Sequence, residues 1–180
     1  MSRLEKKIEQ LINFTPEEIK FVDYCIDELI RLLNTVNFNH AFIALRPVQT
    51  NGKTMVEVYR DVMEGKDRQG ISDNLMNLYL TGYYKSNGTI AITTMSTGKI
   101  MINRFFLIRR MNRGNKGIAE FINTLFHEYL HTLGYIHKNA WPFLSRYKSM
   151  VYQAGNLVEN LYISEKNGVQ FTKLISGGIL

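Results

Sequence analysis

The chain has 180 residues, of which 45% are hydrophobic and 21% are charged, and its formal net charge is +6. This length and composition predict one globular domain that can bury a core, and they exclude a disordered or collagen-like chain. A single cysteine excludes an intrachain disulfide framework.

The sequence also bears on compartment and assembly. The first residues mix charges and lack the apolar stretch of a signal peptide. No apolar run reaches the roughly 18 residues that a membrane span needs. We therefore expect a cytoplasmic or non-classically released protein, unless a signal was removed, and we expect it to be a monomer.

Two helices are the first predicted elements. Residues 2–5 have the form of a capping box and predict a short helix. Its apolar side consists of Leu4, Ile8, Leu11 and Ile12. Residues 15–18 are a stronger start signal, with a capping threonine, a proline in the first turn and a glutamate that completes the box. A long amphipathic helix is predicted over residues 16–35, and Cys25 near its apolar stripe is interpreted as a small buried side chain rather than a nucleophile.

Two strands are predicted next, over residues 40–48 and 54–60, joined through the turn-forming dipeptide Asn51-Gly52. His40 is the one histidine outside the cluster described below, and we interpret it as structural. Residues 61–70 are charged and contain glycine, which predicts a loop.

A further helix and two further strands are predicted in the middle of the chain. The helix covers residues 72–82, where a serine or an aspartate can cap it and a glycine can end it. It carries Leu75, Leu78 and Tyr79. After the turn signal Asn87-Gly88, strands are predicted over residues 89–95 and 99–108.

The densest basic stretch, residues 109–116, follows the last of these strands. It is short and contains glycine, so we interpret it as a solvated loop, with attraction of an acidic substrate or nucleic acid as the alternative. No nucleic-acid motif accompanies it, and we expect no nucleic-acid partner.

From Gly117 onwards, apolar residues again recur with helical spacing, while two histidines fall along a different line. The same helix therefore serves as a core element and as a platform for ligands. Strands followed by this helix and an irregular C-terminal part predict an α+β fold. Within the single domain, residues 1–116 hold the N-terminal helices and sheet, and residues 138–180 hold the C-terminal part. Between them, residues 117–137 hold this helix and the histidine pattern described below, which predicts an active site.

The pattern H-E-x-x-H-x-x-G-x-x-H at residues 127–137 carries the chemistry. Residues four apart share a helix face, so His127 and His131 can point their imidazoles at one centre. Gly134 can adopt the left-handed conformation that ends a helix, which lets His137 swing back as a third ligand. A catalytic zinc takes three protein ligands and keeps one position for water. Glu128 can reach that water, so the pattern predicts one catalytic Zn²⁺ ion with Glu128 as its base.

Two other interpretations of the pattern stay open. A structural zinc site usually closes with a fourth protein ligand, commonly cysteine, and Cys25 lies far upstream. The pattern could also be a coincidence, although its five fixed positions rarely match by chance. An open, catalytic site is the interpretation that the sequence favours.

The extended motif resembles that of the metzincin clan of zinc endopeptidases, whose other hallmark is a methionine turn (Met-turn) after the third histidine. Residues 149–152 look like that turn. The resemblance implies that Met150 forms an apolar floor beneath the ligands and that Tyr152 approaches the zinc and helps to stabilise the transition state. It covers roughly residues 117–152, and it implies a metzincin-like zincin with a mixed twisted sheet and long helices.

One position departs from the clan and leaves the particular family open. Clan families often carry Ser, Asp, Glu or Pro after the third histidine, where this chain has Lys138. By the resemblance, a polypeptide substrate lies extended along an edge strand, for which residues 89–95 and 99–108 are the candidates. The loop of residues 139–148 would line the pocket beyond the scissile bond through Trp141, Phe143 and Tyr147. A core role is the alternative for Trp141 and Phe143.

The leading hypothesis from the sequence is a zinc metalloendopeptidase. One alternative is a binding or toxin-like module in which zinc holds the fold, so that removing the metal would unfold the chain. Another is a zinc hydrolase of a small amide, which a closed pocket would favour over an open cleft.

Overall fold

The computed structural model describes residues 3–47, 49–66, 70–137 and 148–168, and these ranges contain four strands and six helices. The strands are β1 (Glu5–Ile12), β2 (Leu75–Tyr83), β3 (Ala91–Thr94) and β4 (Lys99–Asn103). The helices are α1 (Pro16–Leu33), α2 (Val36–Ala44), α3 (Met55–Met63), α4 (Arg104–Met111), α5 (Gly114–Thr132) and α6 (Met150–Lys166). The fold is therefore α+β, as predicted.

The four described strands form one mixed sheet in the order β1-β2-β4-β3. β2 pairs in parallel with both β1 and β4, whereas β3 runs antiparallel to β4. β3 is therefore an edge strand. Of the two candidate edge strands, the one predicted over residues 89–95 takes that position.

The helix predicted from the capping box at residues 2–5 is wrong, because Glu5–Ile12 form strand β1. Exposed and partly buried residues alternate along most of this segment, which is the period of a strand. Pairing with β2 satisfies those backbone groups of β1 that face β2. The ammonium group of Lys6 also reaches the carboxylate of Asp23 on α1 at 2.7 Å, which ties the strand to the first helix.

The strands predicted over residues 40–48 and 54–60 are also wrong, because α2 and α3 occupy most of these positions. Helix α3 begins with a complete capping box, in which Thr54 Oγ1 accepts from the Glu57 amide at 3.3 Å and Glu57 Oε2 accepts from the Thr54 amide at 2.7 Å. This local signal outweighs the β-branched and aromatic content of the segment. The Asn51-Gly52 turn is confirmed, with φ values of 55° and 79°, but it lies between two helices.

The helix predicted over residues 72–82 is wrong as well, because Leu75–Tyr83 form the inner strand β2. Its buried apolar residues are spaced two apart and include Met76, Leu78 and Leu80. Gly82 does not end a helix. A Cβ atom there would lie 2.5 Å from the carbonyl oxygen of Asn13, so the close approach of the segment after β1 requires glycine.

The strand predicted over residues 89–95 is confirmed by β3, but the one predicted over residues 99–108 ends at Asn103. Asn103 stops β4 because its side chain caps α4, accepting a hydrogen bond from the amide of Phe105 at 3.2 Å.

The basic stretch of residues 109–116 is not a loop, since it spans the end of α4, a short turn and the start of α5. Arg110 is buried within it. The guanidinium of Arg113 contacts the carboxylate of Glu120 at 2.5 Å. Part of the positive charge of this stretch is thus balanced inside the chain.

The long helix predicted over residues 16–35 is confirmed by α1, together with its capping box. Glu18, the glutamate of that box, also pairs with Arg104 at 2.8 Å, which links the starts of α1 and α4. Cys25 is buried as predicted, and its burial raises the pKa of the thiol, as expected of an unreactive side chain.

Helix α5 is the central element of the core, where it packs against α1, α4, α6 and β3. Its buried apolar residues include Phe121, Ile122, Leu125, Phe126, Tyr129 and Leu130. Phe126 meets Phe38 of α2 edge to face, with ring centroids 5.8 Å apart. These contacts make α5 a fixed support for the polar residues along its other face.

The C-terminal part is not irregular throughout, because Met150–Lys166 form the 17-residue helix α6 against α5. The four residues compared with a methionine turn lie at the N-cap and in the first turn of this helix. Among the described residues, no helix combines the length and the apolarity that crossing a membrane requires.

Candidate metal centre

Two histidines of the motif lie one turn apart on α5. The Nε2 atoms of His127 and His131 are 3.2 Å apart, and their ring centroids are 4.9 Å apart. Two nitrogen ligands of one tetrahedral zinc, each about 2.0–2.1 Å from it, are separated by about 3.3–3.4 Å. The two imidazoles therefore already stand close to the separation that a shared metal ion requires.

The helix ends at the glycine of the motif, as predicted. Gly134 has a φ of 94°, a left-handed value. Its amide donates to the carbonyl of His131, and the amide of Tyr135 donates to the carbonyl of Leu130, both at 3.0 Å. This pair of bonds is the Schellman motif, which closes a helix and turns the chain away from its axis.

The turn brings His137 back to the two helical histidines. Its ring centroid lies 5.4 Å from that of His127 and 5.1 Å from that of His131. A ligand nitrogen from each of the three half-buried residues lies within 4.8 Å of the other two. These three histidines form the one group of metal-binding side chains found in the described residues. The group contains neither Cys25 nor His40, and His40 is exposed on α2.

A backbone carbonyl fixes the protonation of one ligand. His131 Nδ1 lies 2.6 Å from the carbonyl oxygen of Tyr135. Because a carbonyl only accepts, Nδ1 carries a proton, and in the neutral imidazole Nε2 is then the nitrogen left to bind a metal. A neutral imidazole held in this way is the form that binds a metal, and such an outer hydrogen bond is the usual companion of a histidine ligand. The donor set and its orientation thus fit a zinc ion.

Glu128 lies beside the histidines but outside their group. Its side chain is 7% exposed and turns to strand β3, where the Thr93 hydroxyl lies 2.6 Å from Oε2. The same hydroxyl lies 3.1 Å from the carbonyl oxygen of Glu128. Burial raises the pKa of the Glu128 carboxyl, opposed by the Thr93 hydrogen bond and by the nearby His131. A carboxylate in this setting is suited to proton transfer.

Tyr152 lies beside two of the histidines, and its role towards zinc stays a prediction. From the first turn of α6 its ring lies 4.6 Å from that of His127 and 4.9 Å from that of His137, measured between centroids. Met150 is buried at the start of the same helix. Its role as an apolar floor remains a prediction.

The predicted pocket residues Trp141, Phe143 and Tyr147 lie outside the described residues, as does Lys138. Sequence reasoning missed the contacts of Thr93 and Tyr135 with the centre. Thr93 reaches a residue 35 positions away, and no local pattern marks such a pair. Tyr135 lies inside the motif, but at a position that the motif leaves free.

Comparison with known proteins adds no relative. No protein-family model matches the chain, and neither a curated protein nor a solved structure is significantly similar to it. Functional inference therefore rests on the motif and on the geometry of the centre.

Proposed function

We propose that the chain is a zinc-dependent endopeptidase of the metzincin type. The observation that carries this proposal is the convergence of His127, His131 and His137 beside a buried glutamate that is not one of the three ligands. Three ligands leave a fourth position of a tetrahedral zinc for water, as in catalytic sites. A structural site would need a fourth protein ligand, and none joins the group in the described residues.

The roles of the residues follow from their positions. When bound, zinc supplies a Lewis acid and lowers the pKa of water towards neutrality. Glu128 takes a proton from the attacking water and delivers it to the leaving amine. Tyr152, packed against two of the ligands, donates from its phenol to the oxyanion that develops on the substrate carbonyl.

The edge strand β3 supports an extended polypeptide as the substrate. An edge strand has unpaired backbone groups that can bind a peptide as an added strand. β3 is joined to the centre by the contact of Thr93 with Glu128, so a peptide paired with β3 would run past the proposed base. This placement favours peptide-bond hydrolysis over hydrolysis of a small amide.

The proposal is tested by incubating the zinc-loaded protein with a diverse peptide library and reading cleavage by mass spectrometry. Glu128→Ala is the matched control, because it removes the base and keeps all three histidines. Cuts made by the wild type and lost in Glu128→Ala are the expected result. Equal cutting by both proteins would refute the assignment of Glu128, and a folded, zinc-loaded protein that cuts no peptide would refute the endopeptidase.

A further inference from the structure

Helix α5 fixes only two of the three histidines. His137 lies beyond the helix, in a segment without regular secondary structure. Its position therefore depends on what holds residues 134–137 in place. The Schellman hydrogen bonds secure only the first two residues of this segment, Gly134 and Tyr135.

The side chains of Asn51 and Asp61 hydrogen-bond to the segment of residues 134–137. Asn51 Nδ2, in the turn before α3, donates to the carbonyl oxygen of Gly134 at 2.9 Å. The hydroxyl of Tyr135 donates to Oδ2 of Asp61, on α3, at 2.5 Å. One bond thus holds the backbone of the turn, and the other holds the side chain that follows it.

Asp61 is a firm anchor for Tyr135. It is 7% exposed, and a buried carboxylate is costly unless it is paired. Lys53 forms an ion pair with the same oxygen that accepts from Tyr135, and Lys66 Nζ lies 3.9 Å from the other oxygen. The Lys53 ammonium also stands 5.6 Å from the centre of the Tyr135 ring. Lysine, aspartate and tyrosine therefore hold one another in a single arrangement.

Tyr135 connects this arrangement to a ligand, because its carbonyl oxygen accepts the Nδ1 proton of His131 at 2.6 Å. The residue is thus held at its side chain by α3 and bonded at its backbone to the imidazole. We infer that Asn51, Lys53, Asp61 and Tyr135 form a clasp that positions His131 and His137 for metal binding. This inference rests on the proposed metal centre and adds the residues that hold its ligands in place.

The segment that carries Asn51 and Lys53 also secures the start of α6. The carbonyl oxygen of Gln49 accepts from the amide of Met150 at 3.3 Å, and Gln49 forms a parallel bridge with Ser149. Tyr152 leaves this first turn of α6 to contact the histidines. Residues 49–53 therefore contact both the turn that leads to His137 and the first turn of α6, which carries Tyr152.

Two substitutions test the clasp without altering a ligand. Tyr135→Phe removes the hydroxyl and keeps the ring and the carbonyl. Asn51→Gly removes the amide donor, and glycine accepts the φ of 55° found at Asn51 without strain. Tyr129→Phe is the matched control, because it removes another buried hydroxyl from the same region, one that meets the carbonyl of Val62 on α3 at 3.4 Å. If one of these variants does not fold, Lys53→Gln is used in its place, because it removes the ion pair with Asp61.

Two measurements are made on each protein: the zinc dissociation constant by chelator competition, and the His131 tautomer of the metal-free protein by ¹⁵N NMR. Tyr135→Phe and Asn51→Gly should bind zinc more weakly than wild type, because they loosen the turn whose carbonyl contacts His131. The expected upper limit is the roughly 10-fold to 100-fold loss that removal of an outer partner itself causes. They should also show a mixture of tautomers where the wild type and Tyr129→Phe show the Nδ1-protonated form.

Zinc affinities within twofold of Tyr129→Phe, with an unchanged tautomer, would overturn the clasp. Failure of the proposed function looks different. A wild type that binds one zinc ion but cuts no peptide refutes the endopeptidase and leaves the clasp standing. If the wild type takes up no zinc, the metal centre fails. The clasp is then judged by the tautomer alone, and the same tautomer in all variants overturns it.

Discussion

Gly134→Ala is the substitution that tests most selectively whether the left-handed turn positions His137. Gly134 has a φ of 94°, and an L-residue in the left-handed region costs about 1–2 kcal/mol. A chain of this size loses roughly 2–4 °C of Tm per kcal/mol. If the variant keeps the native turn, the metal-free protein should therefore melt about 2–8 °C lower than the wild type.

If residue 134 of the variant instead leaves the left-handed conformation in the metal-free protein, the same energy is lost from metal binding. A relaxed turn displaces His137, and zinc must then restore the strained conformation in order to recruit it. One to two kcal/mol corresponds to a factor of about 5–30 in an equilibrium constant. Zinc affinity, measured by chelator competition, should therefore fall by up to this factor. The closer the Tm of metal-free Gly134→Ala is to the wild-type value, the larger the loss of zinc affinity should be.

Gly98→Ala is the control, because Gly98 in the turn between β3 and β4 has a φ of 66° and open space around an added Cβ atom. It should lower the Tm and leave zinc affinity unchanged. Gly134→Asn should recover part of the loss, since asparagine tolerates a positive φ better than alanine does. If Gly134→Ala melts like the wild type and binds zinc as tightly, the left-handed turn at Gly134 is not what positions His137.

Three further substitutions give separate tests. His137→Ala should lower zinc uptake while His40→Ala keeps one zinc per chain; metal analysis of both decides, and equal uptake would mean that the third ligand is misassigned. Thr93→Val should leave zinc uptake unchanged but move the acid limb of the pH–rate profile to higher pH. The reason is that the Thr93 hydrogen bond lowers the pKa of Glu128, so that losing it raises this pKa. An acid limb at the wild-type pH would contradict this effect of Thr93. Thr54→Ala should destabilise the chain by about 1 kcal/mol through loss of the α3 cap, seen as a Tm lower by roughly 2–4 °C; an unchanged Tm would contradict the cap.

The centre could be predicted from the sequence because its geometry is local. The spacing of His127 and His131 is one helical turn, and Gly134 ends the helix so that His137 can return. Helix α1 could be predicted for the same reason, since its capping box and proline lie within four consecutive residues.

The predicted helices and strands are wrong where distant partners decide the structure or where two local signals compete. Short apolar runs such as Leu75–Tyr83 fit either a helix or a strand, and the pairing of β2 with two other strands settles the outcome. The capping box of Thr54 and Glu57 was readable in the sequence, but the β-branched residues around it favoured a strand.

The contacts that support the site are non-local. Thr93 and Glu128 are 35 residues apart, and Tyr135 and Asp61 are 74 residues apart. Neither pair has a spacing that a helix or strand would produce. The sequence therefore predicts which residues could bind a metal, and the tertiary structure is needed to find what holds them.

Zinc K-edge X-ray absorption of the stoichiometrically loaded protein would show directly which atoms hold the metal, with Glu128→Ala measured beside the wild type. A centre built by His127, His131 and His137 should give three imidazole nitrogens at about 2.0–2.1 Å, one oxygen and no sulfur. The spectrum should be the same in both proteins, because Glu128 faces Thr93 and is not one of the three proposed ligands. A sulfur neighbour near 2.3 Å, a fourth imidazole, or a spectrum that changes in Glu128→Ala would contradict this ligand set.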